Sequence, residues 1–140
     1  MNVDFVYNTD FKLNNEIETT QWINSFCKSE GFSIDSLVFA FFNDKELKDL
    51  NVKFLNHDYF TDVISFDESY DGFVKGNIAI SIDRVKENAS EFSCSFDDEL
   101  RRVIIHGVLH FMGFNDKTDD EKKKIRAKEN SAIEMFHVKR

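Results

Sequence analysis

His106 and His110 stand four residues apart in the stretch His106-Gly107-Val108-Leu109-His110-Phe111-Met112-Gly113-Phe114-Asn115-Asp116. On a helix that spacing stacks two side chains one turn apart on the same side, close enough for both imidazoles to share one ion. Gly113 then marks a helix end, because glycine takes the left-handed conformation there without steric cost and lets the chain fold back. The return brings Asp116 towards the two rings. Two imidazoles and a carboxylate make a three-ligand set that leaves a coordination position for water, the layout of catalytic rather than structural zinc. An ion held in this way lowers the pKa of its water and polarises an oxygen of a bound substrate, the two services that hydrolysis draws on. No general base declares itself. Asp62, just before Val63, is a candidate to orient water or substrate, although a lone aspartate at a strand start is more often a turn or edge residue.

The spacing H-x-x-x-H-x-x-G-x-x-D also resembles the metzincin metalloprotease pattern H-E-x-x-H-x-x-G-x-x-H. The glutamate that acts there as general base is Gly107 here, which makes a metallopeptidase the second reading rather than the first. Zinc is favoured by two imidazoles, while a His-His-Asp set also accepts nickel, iron or manganese. His57 and His137 lack partners at ligand spacing. They read as a loop residue and as a helix-end cation facing the helix dipole. Asn51 reads as a polar residue on a helix face before it reads as a substrate contact.

The elements that position these groups are legible from periodicity. Val3, Phe5 and Tyr7 alternate as a strand. Ile17, Trp22, Ile23 and Phe26 recur near helical spacing from Glu16 to Glu30, with Gly31 as a stop. Ser36 to Phe42 is too short and too apolar for a surface helix and reads as a buried strand. Asn43 or Asp44 caps a helix through Leu47 and Leu50 to Leu55, with Phe54 on the same side. Thr61–Phe66 and Gly76–Ile82 read as strands joined across Ser69–Gly72, and Asp83 to Phe92 as a short helix. Ser95 and Asp98 form a capping box ahead of Leu100, Val103, Ile104, Val108 and Phe111, the apolar stripe beside which the histidines sit. Thr118 and Glu121 form another, opening a last helix with Ile125, Ile133, Met135 and Phe136. The order β-α-β-α-β-β-α-α-α predicts an α+β domain. A small mixed sheet of about four strands packs with about five helices, and the metal site lies at the end of a central, zincin-like helix.

At 140 residues, without proline and with few glycines, the chain reads as one continuous domain over 1–140. The 16 Phe predict an aromatic-rich core with some rings left on the surface. No apolar run approaches the roughly 18 residues that span a bilayer, and the start lacks a signal-peptide pattern, so the expected compartment is the cytoplasm, with no membrane partner. Cys27 and Cys94 have no nearby cysteine and are expected reduced and packed in the interior. The net charge of -8 argues against indiscriminate binding to phosphate backbones. Arg101, Arg102, Lys122, Lys123, Lys124, Arg126 and Lys128 nevertheless make the last two helices locally basic. Asp119, Asp120, Glu121 and Glu129 lie among them, a pattern usual for a solvated helix; if the cations face the ligand cleft, they would guide an RNA backbone.

With these residues in place, the chain resembles the YbeY family of metal-dependent endoribonucleases, linked to ribosomal RNA maturation and quality control. The family signature H-G-x-L-H-L-x-G-Y-D-H stands here as H-G-V-L-H-F-M-G-F-N-D, from His106 to Asp116. Leu50-Asn51 with Phe54, and then Thr61–Phe66, resemble the family's L-N-x-x-Y-R…T-D-V-L-S-F block, and Gly76-Asn77-Ile78 its G-D-I strand start. The resemblance implies a metal at His106, His110 and Asp116, one zinc per chain. It also implies a ribosomal or single-stranded RNA substrate, with the ribosome or its proteins as partners. Asp116 replaces the family's third histidine, and Leu55 stands where the family has an arginine thought to matter for activity. A ribosome-associated binding protein with weak catalysis is a third reading, resting on Leu55 and the acidic balance.

Overall fold

The described residues of the computed structural model, 2–138, form four strands and five helices. They run β1 (Val3–Tyr7), α1 (Glu16–Ser29), β2 (Ser33–Phe42), α2 (Asp44–Leu55), β3 (Val63–Asp67), β4 (Phe73–Ser81), α3 (Ile82–Glu91), α4 (Phe96–Phe111) and α5 (Asp119–Val138). The expected order and α+β class are the observed ones. The sheet order is β1-β2-β4-β3. The first three of these are parallel, and β3 lies antiparallel along β4 at one edge. Parallel neighbours need crossover connections. The chain makes the first of them through α1, and the second through α2 and β3.

The run read as a buried strand is central for the reason its composition suggests. Leu37, Phe39 and Phe41 of β2 and Ile78 and Ile80 of β4 are fully buried, as expected where helices cover a parallel ladder. Aromatic rings extend this layer. Phe5 stacks on Phe39 at 5.7 Å and Tyr7 on Phe41 at 5.4 Å between centroids. Phe54, Phe60, Phe73 and Phe92 are left on the surface.

Several boundaries differ from the periodicity, each for a local reason. β2 begins at Ser33 because Ser33 and Ile34 already pair with Phe73 and Val74 of β4. Ile82 opens α3 instead of closing β4, since the Ser81 hydroxyl accepts from the Arg84 N–H at 3.2 Å and caps the helix there. In the same way Ser95 accepts from the Asp98 N–H at 3.0 Å, so α4 starts at Phe96. Ile17 and Phe54 are exposed. The buried stripe of α1 runs through Thr19, Trp22, Ile23, Phe26 and Cys27, and Phe54 meets Phe66 edge-on outside the main core. Cys27 is buried, with its thiol pushed up to about 12 chiefly by burial. Cys94, expected in the interior, is exposed just after the turn at Ser93.

Helix α4 packs on β3 and β4 and is flanked by α3 and α5. It lies so close to the sheet that a Cβ on Gly107 would come within 2.9 Å of Ile78 Cδ1. No helix among the described residues is long and apolar enough to cross a membrane.

Candidate metal centre

The C-terminal turn of α4 builds the site. After Phe111 the chain turns at Gly113, whose φ is 97°. The Gly113 N–H donates to His110 O and the Phe114 N–H to Leu109 O, both at 3.0 Å, so the helix ends in a compact cap. The turn carries Asp116 back over the helix. Its Oδ2 lies 3.2 Å from His106 Nε2 and 3.4 Å from His110 Nε2, and the two Nε2 atoms are 3.0 Å apart. The structure thus brings together the three residues singled out by spacing.

The opposite ring nitrogens are both occupied. His110 Nδ1 is 2.9 Å from the Phe114 carbonyl, and His106 Nδ1 is 2.6 Å from Glu129 Oε2. A carbonyl and a carboxylate only accept, so each Nδ1 carries the donated proton, and in the neutral ring each Nε2 keeps its lone pair. Three lone-pair atoms converging at 3.0–3.4 Å repel unless something positive lies among them. A divalent cation fits that requirement, and the donor set of two imidazoles and a carboxylate suits a transition metal. The surrounding charge has the same sense. Burial works against a charge on His106, but Glu129, Asp116 and Asp62 outweigh it and raise its pKa.

Behind the ligands lies a buried ionic layer. Glu99 and Glu129 are almost fully buried, and a carboxylate stays ionised in such a place only when paired. Arg102 supplies the pairing. Its Nε donates to Glu99 Oε1 at 2.9 Å and its Nη2 to Glu99 Oε2. Its Nη1 reaches Glu129 Oε1 at 3.5 Å, and its Nη2 lies 3.9 Å from Asp62 Oδ2. Burial opposes the Arg102 charge, and these carboxylates overcome it and raise its pKa. Sequence reasoning placed Glu129 among solvated charges. The signal that could have found it is its position on the buried stripe of α5, with Ile125, Ala132 and Phe136.

Asp62 sits at the entry to β3, held by its backbone carbonyl, which accepts from the Ser81 N–H at 2.9 Å. Its carboxylate accepts from Asn88 Nδ2 at 3.3 Å. Burial pushes the Asp62 carboxyl up, and Arg102 and His106 pull only part of that back. Asp62 lines the same cleft as His106, His110 and Asp116, a cavity of about 310 Å3 that Asn51, Leu55, His57 and Tyr59 also line.

None of the lining residues is a lysine or arginine, so the cations of the last two helices do not line this cleft. Arg101 pairs with Asp98 at 2.9 Å and lies 3.7 Å over the Phe136 ring. Arg102 is used in the interior, and Arg126 lies 3.7 Å from Glu129 Oε1. Lys128 pairs with Glu30, and Lys122, Lys123 and Lys124 are exposed elsewhere. His137 has a specific partner, Asp98 at 2.8 Å, rather than the helix dipole alone. His57 also has one, the Tyr59 hydroxyl, 2.9 Å from its Nδ1. Asn51, read as a polar residue on a helix face, is buried and lines the cleft. The peptidase reading meets an obstacle at Gly107. A glutamate side chain would have to leave α4 where Ile78 already sits, against the sheet and away from the cleft.

Known proteins resemble this chain in sequence and in fold. The family model described as Endoribonuclease YbeY matches residues 6–137. A protein named Endoribonuclease YbeY from Christiangramia forsetii is 44% identical over 136 residues, covering 97% of this chain and 95% of its own. One of the same name from Flavobacterium johnsoniae is 41% identical over 97% of this chain and 98% of its own. The solution structure of TM1509 from Thermotoga maritima superposes with a TM-score of 0.73 at 26% identity, covering 98% of this chain and 90% of that one.

Proposed function

This chain belongs to the YbeY endoribonuclease family, and from that premise we propose that it is a metal-dependent endoribonuclease acting in ribosomal RNA maturation and ribosome quality control. In this reading residues 1–140 are a single catalytic domain working in the cytoplasm on ribosomal or other single-stranded RNA, in company with the ribosome or its proteins. His106, His110 and Asp116 hold one divalent ion, and zinc suits them best. The observation that carries the proposal is the convergence of the two Nε2 atoms and Asp116 Oδ2 on one point at the wall of an open cleft.

When bound, the ion lowers the pKa of water and polarises a phosphoryl oxygen. The chain's own groups do the rest. Glu129 and the Phe114 carbonyl fix the two imidazoles by their Nδ1 protons and so keep both Nε2 lone pairs aimed into the cleft. Asp62, which lines the same cleft, orients the attacking water and accepts its proton, a task suited by a carboxyl raised above its ordinary value. Arg102, the cation shared by Asp62, Glu99 and Glu129, links Asp62 and Glu129 in one ionic layer.

The test incubates purified protein with structured RNA and, separately, with unfolded casein, each with and without chelator. Chelator-sensitive cleavage of RNA alone is the expected result. Cleavage of casein overturns the proposal in favour of a peptidase, and RNA or ribosome binding without turnover overturns its catalytic part.

A further inference from the structure

The cleft that His106, His110 and Asp116 line also carries an organised aromatic pair that the proposed chemistry does not use. His57 and Tyr59 stack at 5.2 Å between centroids with 18° between planes, and the Tyr59 hydroxyl lies 2.9 Å from His57 Nδ1. Both residues are exposed, Tyr59 by 53%. The backbone beneath them is tied down by one buried residue. The His57 N–H donates to Asn51 O at 3.1 Å, and Asn51 Nδ2 donates to Tyr59 O at 3.1 Å. Asn51 Oδ1 is buried and has no hydrogen-bond partner among the described residues. The neighbouring ring, Phe60, is engaged differently, with Lys48 and Arg84 at 4.6 and 5.4 Å from its centre, and it does not line the cleft.

We propose that His57 and Tyr59 form a nucleobase-stacking subsite that seats an unpaired base of single-stranded RNA beside the metal ligands. The inference rests on the endoribonuclease reading and adds to it how the substrate is gripped. A cleft without lysine or arginine in its lining, in a chain of net charge -8, has little to offer a phosphate backbone. What it offers is π surface, already flat and hydrogen-bonded in place, so little further ordering is needed when a base arrives. Leu55, exposed and lining the same cleft, adds apolar surface where a cation is missing. Bases inside a duplex are not free to stack on it, so the subsite selects single strands.

The test is fluorescence anisotropy of metal-loaded protein with a short 2′-O-methylated single-stranded RNA, scanned with one abasic position at a time, alongside cleavage of the unmodified RNA. Tyr59→Ala should bind about 5- to 150-fold more weakly and Tyr59→Phe within about twofold of the parent. One abasic position should cost the parent a comparable factor and cost Tyr59→Ala almost nothing more, a coupling that general damage to the loop would not produce. Unchanged binding by Tyr59→Ala, an equal abasic penalty in both proteins, or equally tight binding of a duplex overturns the subsite. If RNA is still cleaved in that case, the endoribonuclease reading stands. Failure of the parent to bind or cleave any RNA overturns both.

Discussion

Glu129 Oε2 lies 2.6 Å from His106 Nδ1, joining the buried stripe of α5 to a ring whose other nitrogen faces the cleft. A carboxylate in that place fixes the ring's tautomer and makes Nε2 a stronger donor to a metal. Glu129→Gln keeps the size of the side chain and removes its charge. Metal affinity should fall by about 10- to 100-fold, read by competition with a chromogenic chelator. An affinity equal to that of the parent would reduce Glu129 to a packing residue.

Asp116 reaches both imidazoles with one oxygen, at 3.2 and 3.4 Å. Asp116→Ala leaves two ligands, too few for a tetrahedral site of three side chains and one water. The purified variant should lose its metal on dialysis, whereas Asp116→His should retain it with a nitrogen in the third position. Elemental analysis checks both. Undiminished metal in the alanine variant would mean that another group supplies the third ligand.

Asp62→Asn should lower kcat by on the order of 10²- to 10⁴-fold with KM changed little, as expected for loss of a general base. The pH profile gives a second check. A base must be deprotonated, and the carboxyl of Asp62 is raised by burial. The parent's rate should therefore fall on the acid side, from a pH above the ordinary aspartate range, and the variant should lack that limb. An unaltered acid limb would assign the proton transfer elsewhere.

The clustering of His106, His110 and Asp116 and the order of elements were legible because both depend on short-range spacing. A four-residue interval, a terminating glycine and two capping boxes leave marks within a dozen residues. The Thr118–Glu121 box is reciprocal in the structure, with hydroxyl and carboxylate each accepting the other residue's N–H at 3.1 and 2.9 Å. The ionic layer left a fainter mark, since it depends on which faces of α4 and α5 meet. Arg102, Glu99 and Glu129 look like ordinary surface charges until α5 is laid against α4. Only the stripe Ile125, Glu129, Ala132, Phe136 betrays the last of them. The aromatic pair was less visible still, because Asn51 anchors His57 and Tyr59 through backbone groups that carry no side-chain signature.

Gly107→Ala tests the close approach of α4 to the sheet. Ile78 is fully buried, and a new methyl group would meet its Cδ1, Cγ2 and Cγ1 at 2.9, 3.1 and 3.3 Å. Overpacking of this kind costs about 1–3 kcal/mol, more than the ~1 kcal/mol that alanine returns in helix propensity. The urea midpoint should fall. A more stable variant would show that β4 and α4 separate easily, and would reopen the question of a larger residue at this position.

Asp98 links the start of α4 to the end of α5 through His137, and its response to pH is fixed in sign. Burial works against its ionised form, but hydrogen bonds from His137 and Arg101, at 2.8 and 2.9 Å, prevail and hold its carboxyl below the ordinary aspartate range. A carboxyl depressed in the folded state adds stability that is complete above its unfolded value and is lost as pH falls through its folded one. Asp98→Asn should accordingly have a lower urea midpoint than the parent at about pH 7. The difference should shrink towards the lowest pH at which both still fold, near or below about pH 4. A difference that stays constant across that window would mean that Asp98 acts through its shape and its place in the first helical turn, and not through its charge.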